Sequence, residues 1–405
     1  MANENRQMTG IMDYIRWRGD LPVSAVPWCP IDSLLLAVMT YQDMPGCETK
    51  GGMLLKEVVD SLVLKRDVQA EKDRMEMIRA MAESRRFGGM RLCLQVAESD
   101  ADRSIQFSAV TCLIEEGPVV VAYRGTDHTL VGWKEDFMMS YISPVPAQAE
   151  ALAYLVKAAE VSDAPIVLTG HSKGGNLASY AGAHAAPEIQ KRIMEVASFD
   201  GPGLDDATID SEGYSRIRPV LDSFIPNGSV VGLLMNYHKN YQIVRSSTVG
   251  LFQHDPFTWG ILGPAFIRAE DTTMSSQLID ETVHEWLATC SPDMLEDFVQ
   301  TMFTTLEKLY ANRGEEDLLD IQAAGVVEAA AYVQKLKPEV REQLGAMMGR
   351  LLEIAKDTYI QKGLQKNLQT TLDSISQRLR SFGDSLQQIG DAGKAKEKEP
   401  DSSAD

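Results

Sequence analysis

The sequence predicts an α/β fold, a mixed sheet flanked by helices, preceded by a helical segment and followed by a helical extension. Three patterns predict it: short apolar runs of strand length from Arg91 onward, alternating strand and helix signals between Ala147 and Val244, and helical apolar spacing on either side.

Up to about Met90 the chain reads as helical. Ser33 to Met44 carries a compact apolar cluster, and Leu54 to Val63 has apolar positions at helical spacing. From Arg91 the period changes: Leu92–Ala97, Ile105–Ile114 and Pro118–Tyr123 are short apolar or alternating runs parted by acidic and glycine-containing turns, the pattern of a β-meander. An Ala-rich helix (Ala147–Ala159), a strand (Ile166–Thr169), a small-residue helix (Asn176–His184), a strand (Val196–Phe199) and a further strand (Tyr241–Val244) follow. From Thr272 onward strand character is scarce, and Leu295, Phe298, Met302 and Leu306 keep helical spacing. A long helix from about Val340 into the Gln-rich stretch Leu368–Leu386 reads as an interaction arm, and Ala392–Asp405 as a charged, aromatic-free, disordered tail. The expected division is a helical N-terminal segment packing on the core (1–90), the α/β core (91–270), a helical extension (271–391) and the tail (392–405).

Composition narrows the function classes. With 39 Lys+Arg against 58 Asp+Glu the 405-residue chain carries a formal net charge of −19, which repels polyanions and argues against nucleic acid as a partner. Five cysteines (Cys29, Cys47, Cys93, Cys112, Cys290) lack C-x-x-C or Cys/His zinc spacing and read as reduced thiols. No signal-peptide pattern opens the chain and no apolar run of about 18 residues could span a bilayer, so the expected location is the cytoplasm. No phosphate loop or metal-ligand cluster is present, and no cofactor or metal is expected.

The chemistry concentrates in Leu168-Thr169-Gly170-His171-Ser172-Lys173-Gly174-Gly175-Asn176-Leu177, a G-x-S-x-G run between a predicted strand and a predicted helix. In a nucleophile elbow the turn holds the serine in a strained conformation, and Gly170 and Gly174 let strand and helix approach while the hydroxyl projects. A helix N-terminus there favours developing negative charge. A fold of the α/β-hydrolase type is therefore expected, with Ser172 as nucleophile.

A serine hydroxyl needs a general base, which in this fold comes from a loop after a late strand. His128 and His171 come too early in the chain, His184 closes the nucleophile's own helix, and His284 belongs to the extension. Of the remaining two, His254, in Gln253-His254-Asp255-Pro256-Phe257-Thr258-Trp259 after the last strand, is better placed than His238, which precedes that strand. The acid should end a strand between serine and histidine; Asp200, closing Val196–Phe199 before Gly201-Pro202-Gly203, fits first, Asp222 second, while Asp205 or Asp206 could cap a helix. The oxyanion requires two N–H donors: the Lys173 amide, and one from the loop after Val119–Tyr123, where Thr126 is the candidate and Arg124 braces the loop against Asp136 or another carboxylate.

Tyr123-Arg124-Gly125-Thr126 with Trp133 and Asp136, and the elbow Gly170–Gly175, resemble the corresponding segments of class 3 lipases. The likeness to the bacterial Mbeg1-like family is closer. It includes Asp13-Tyr14-Ile15-Arg16-Trp17-Arg18-Gly19-Asp20, Gly170–Asn176, Ser198-Phe199-Asp200-Gly201-Pro202-Gly203 and Gln253–Trp259, over roughly Ile11 to Leu262. The resemblance implies an α/β-hydrolase fold and, through the lipases, ester hydrolysis with Ser172, His254 and Thr126 carried over. Two departures stand out. Ser229 occupies the place of the lipase triad aspartate, so the acid has moved to Asp200 or been lost. Lys173 replaces the apolar residue after the nucleophile; it either favours an anionic substrate or points to solvent. The expected function is a serine esterase or lipase-like hydrolase acting on a small acyl substrate, a lipid among the options. The alternatives are thioester, amide or acyltransferase chemistry at the same site, or a catalytically inactive scaffold recruiting a protein partner or a second copy through its C-terminal helices. Val230–Met235 with Tyr237 is expected as core packing, or as an acyl-pocket wall or flap.

Overall fold

An eight-stranded mixed sheet organises the chain in the computed structural model, which describes residues 8–64, 68–127, 129–235 and 241–310. The strands follow chain order across it: β1 (Met53–Leu54), β2 (Arg91–Asp100), β3 (Ile105–Leu113), β4 (Val119–Tyr123), β5 (Ile166–His171), β6 (Ile193–Phe199), β7 (Leu221–Pro226) and β8 (Tyr241–Val244). β1 to β4 pair antiparallel and β4 to β8 parallel, so a meander runs into a wound α/β half, as the sequence predicts. A small hairpin, β9 (Ile261–Leu262) and β10 (Ala265–Phe266), follows. The apolar pattern announced neither β7 nor the two-residue strands β1, β9 and β10.

The helices are α1 (Ile11–Arg18), α2 (Pro30–Met39), α3 (Leu55–Val58), α4 (Gln69–Glu83), α5 (Leu130–Met138), α6 (Pro146–Ala159), α7 (Lys173–His184), α8 (Pro187–Gln190), α9 (Asp206–Ile209), α10 (Glu212–Ile217), α11 (Met274–Ala288) and α12 (Pro292–Tyr310). Both α2 and α6 open with proline in the first turn, where no backbone donor is lost. All residues of α2 except Pro30 are buried, as suits a helix that is apolar nearly all round. No described helix is long and apolar enough to cross a membrane.

Alternation along the strands assigns the layers. On β4, Val120 and Ala122 enter one apolar cluster while Val121 and Tyr123 enter the other; β5 divides Val167 from Ile166 and Leu168 in the same way. The second cluster contains α6, α7 and α10, which lie among the crossovers of the parallel half. Right-handed crossovers between strands laid down in order place their helices on one face only. The opposite face is covered by α1 and α2, which precede β1, and by α4, which lies between β1 and β2. A buried ion pair fixes that layer: Arg86 Nη2 and Nε reach Asp32 at 2.6 and 2.7 Å, and Tyr14 Oη donates to the same carboxylate at 2.7 Å. Three carbonyls, of Leu21, Val26 and Pro27, take the remaining guanidinium donors, so the charge is fully partnered.

The chain divides into two compact units, Met1–Asp280 and Glu281–Asp405. In the second, α12 buries Leu295, Val299 and Phe303 at a spacing of four, and the rings of Trp286 and Phe298 meet edge-on at 5.8 Å. The expected arm at 340–386 and tail at 392–405 lie outside the described residues, as do His128, Tyr237 and His238.

Candidate active site

β5 ends at His171 and α7 begins at Lys173, which leaves Ser172 alone in the turn at φ +56°, ψ −133°. A non-glycine residue there costs on the order of 1–3 kcal/mol, and the surroundings enforce it. Ser172 N donates to the Phe199 carbonyl at 2.9 Å, tying the turn to β6. A Cβ on Gly170 would lie 2.1 Å from the Gly174 carbonyl, and one on Gly174 would lie 2.2 Å from the Tyr123 carbonyl. Backbone therefore meets backbone on both sides of the serine. Ser172 is the N-cap of α7, yet its side chain makes no capping bond, and among the described residues its Oγ has no hydrogen-bond partner.

Asp200 ends β6 at φ +48° with its carboxylate buried. Its Oδ2 receives His254 Nδ1 at 2.7 Å. Its Oδ1 accepts from Ser229 Oγ at 2.5 Å and from the Gly232 amide at 3.1 Å. With both oxygens accepting, Nδ1 of His254 carries the proton and Nε2 is left as the acceptor. Ser229, in the turn after β7, thus serves the carboxylate that follows the neighbouring strand β6. The other acids lie elsewhere: Asp222 Oδ1 takes Gln242 Nε2 at 2.7 Å, Asp205 caps α9, and Asp206 is within it.

The histidine loop is held from three sides. Trp259, fully buried, donates from Nε1 to the Gln253 carbonyl at 2.8 Å and packs against Phe199 and Phe266. Gln253 Oε1 accepts the Gly228 amide at 2.7 Å. His171 Nε2 donates to the His254 carbonyl at 2.8 Å, and the two imidazoles lie 4.5 Å apart at 39°. That bond makes Nδ1 of His171 an acceptor, filled by Tyr41 Oη at 2.8 Å. Burial, and then the neighbouring His254, hold the His171 pKa well below the usual histidine range, so it stays neutral beside the site. Sequence order excluded His171 as a base; nothing in its spacing marked it, or Tyr41 from the helical segment, as supports of the His254 loop.

The loop after β4 packs directly on the elbow. A Cβ on Gly125 would lie 2.6 Å from the His171 carbonyl and 2.0 Å from Tyr41 Oη. Thr126 Oγ1 donates to Asp136 Oδ2, while Arg124 pairs with Asp43 at 2.7 Å and with the Thr40 carbonyl. Among the described residues neither the Thr126 nor the Lys173 amide has a hydrogen-bond acceptor, which leaves two free donors on adjoining turns.

Lys173 departs from both sequence-based expectations for its side chain. It neither faces solvent nor offers a cation to a ligand: it is 1% exposed, and its ammonium donates to Gln106 O at 2.8 Å, Gln106 Oε1 at 2.7 Å and Glu135 Oε2 at 3.0 Å. An ammonium has three donors, and all three are used. Within Val230–Met235, a short 3-10 turn at Val231–Leu233 buries Leu233, and the Leu234 carbonyl accepts the Gly203 amide at 2.9 Å. No cluster of three or more His, Cys, Asp or Glu among the described residues could hold a metal.

A sequence model described as Mbeg1-like matches residues 81–304. No curated protein matches the chain. A crystal structure of M37 lipase is similar over 51% of this chain and 70% of that one, at 17% identity and a TM-score of 0.35.

Proposed function

The chain belongs to the Mbeg1-like family, and we propose that it acts as a serine hydrolase of the esterase or lipase type, cleaving an acyl ester through an acyl-enzyme on Ser172. Ser172 Oγ attacks the carbonyl carbon as His254 Nε2 takes its proton, and the oxyanion is received by the amides of Thr126 and Lys173. Collapse breaks the bond to the alkoxide, which leaves as the alcohol with the proton from His254. Water, deprotonated by the same nitrogen, then attacks the acyl carbon; the acid departs and Ser172 regains its proton. Asp200 keeps the imidazole in the tautomer this sequence needs. The observation carrying the reading is the Asp200–His254 pair, at 2.7 Å with its tautomer fixed by Ser229 and Gly232, standing where β6 adjoins a strained serine.

The test is labelling of the purified full chain with a fluorophosphonate probe, with the modified residue located by mass spectrometry. Labelling at Ser172 that is lost in Ser172→Ala and in His254→Ala supports the reading. An unlabelled wild-type chain would return the fold to the scaffold alternative.

A further inference from the structure

A lysine this deeply buried is costly, since an ammonium leaving water loses several kcal/mol of hydration that only close, saturated partners offset. The apolar layering gives no reason for one directly after the nucleophile. Its path does. The side chain runs from the elbow to β3, where it meets Gln106, and to α5, where it meets Glu135 at 3.0 Å. Its Nζ also stands 3.9 Å from Asp136 Oδ1, a buried oxygen without a hydrogen-bond partner among the described residues, while the other oxygen of Asp136 holds the Thr126 hydroxyl.

We propose that Lys173 is a positioning residue that couples the two oxyanion donors: its own amide supplies one, and its ammonium, through Asp136, fixes the loop that supplies the other. The inference rests on the serine-hydrolase reading and deepens it. Without the ammonium, Asp136 would face Glu135 on its own helix and Asp127 in the adjoining loop, beside a Tyr41 hydroxyl that also feels the more distant Arg74 and Arg124. Burial already pushes its pKa up to about 6, and the Lys173 charge, followed by the Thr126 hydrogen bond, opposes a further rise. A protonated Asp136 carries a hydroxyl of its own and no longer dictates where Thr126 points. Glu135, by contrast, also receives the Gln106 and Ala147 amides at 3.0 and 2.7 Å, so the same lysine has a structural duty from which the coupling must be separated.

The experiment is a double-mutant cycle between Lys173→Met and Thr126→Val, read as the maximal rate of fluorophosphonate labelling at Ser172, with probe affinity and melting temperature measured alongside. Lys173→Met should lower the maximal rate about 10- to 100-fold with affinity unchanged, as expected for donors displaced by a fraction of an ångström to about an ångström. Its deficit relative to wild type should deepen as pH falls from 8 toward 6, the base being common to both proteins. Thr126→Val leaves the buried pair untouched; it should slow labelling comparably, and the double variant should be no slower than the slower single. Multiplicative losses, or a deficit independent of pH, would overturn the coupling. So would recovery of the rate when Glu135→Gln, added to Lys173→Met to remove the orphaned charge, restores the melting temperature. Every comparison is a ratio to a wild type that labels, so failure here is distinct from failure of the hydrolase reading, in which the wild type does not label.

Discussion

Replacing Asp200 by asparagine tests the site through one proton. The amide side chain keeps the shape of the buried carboxylate, and Ser229 Oγ and the Gly232 amide still donate to the Oδ1 position. Both are donors there, so the amide oxygen must take that side and the NH2 group must turn to His254 Nδ1, 2.7 Å away in the native pair. A donor facing Nδ1 forces that nitrogen to accept, which moves the imidazole proton to Nε2 and removes the acceptor that Ser172 needs. The loss expected from a wrong tautomer is about 10⁴-fold, on the order of 5 kcal/mol at the transition state, with the fold intact. The assay is the second-order rate of fluorophosphonate labelling at pH 8, with circular dichroism and melting temperature as controls. Asp222→Asn, which alters a bond to Gln242 and a charge near Glu195, both away from the Asp200–His254 pair, should label within about threefold of wild type. Equal rates for Asp200→Asn and wild type would refute the tautomer reasoning and the acid assignment together.

Two further outcomes follow from single contacts. Gly174→Ala brings a Cβ to 2.2 Å from a carbonyl of β4 that cannot move aside, so it should destabilise the chain by about 3 kcal/mol or more; an unchanged denaturant midpoint would contradict the close approach. Glu195, on β6, accepts from Ser33 at 2.5 Å, and burial pushes its pKa from 4.5 up to about 7. Its folded-state pKa lies above the unfolded one, so ionisation costs stability progressively between pH 4.5 and 7 and the cost is constant above. Glu195→Gln should therefore gain on wild type across that window, by on the order of 3 kcal/mol at most, and a melting-temperature gap that stays flat from pH 4.5 to 8 would remove the explanation.

The meander, the elbow and the helices α6 and α7 were legible because each carries a period or a steric rule: alternation on β2 to β4, small residues on α7, glycine on both sides of Ser172. β7 was not, because Leu221-Asp222-Ser223-Phe224-Ile225-Pro226 is polar in its first half and ends on proline; its parallel pairing with Val196–Phe199 supplies what its own pattern lacks. Ser172, Asp200 and His254 could be named as candidates from chain order and turn chemistry. Tyr41 and Glu135 could not, because they reach the site from distant segments and no local spacing records such a meeting, and Ser229 was noted only as a departure from the lipase pattern, not as a donor to Asp200. Lys173 was visible as an oddity, but the direction of a long side chain depends on partners on β3 and α5.

The layer that covers the second face of the sheet also sets a timetable for synthesis. α2 is made before any strand it packs on, and the bond from Thr169 Oγ1 to the Ser33 carbonyl joins residues 136 positions apart. At translation rates of roughly 5–20 residues per second, that apolar helix waits about 7–27 s outside its final surroundings. Until β5 and β6 emerge, the nascent chain presents Leu34, Leu35, Leu36 and Val38 to whatever holds unfolded polypeptide at the ribosome. The helix made among the earliest is therefore among the last to be buried.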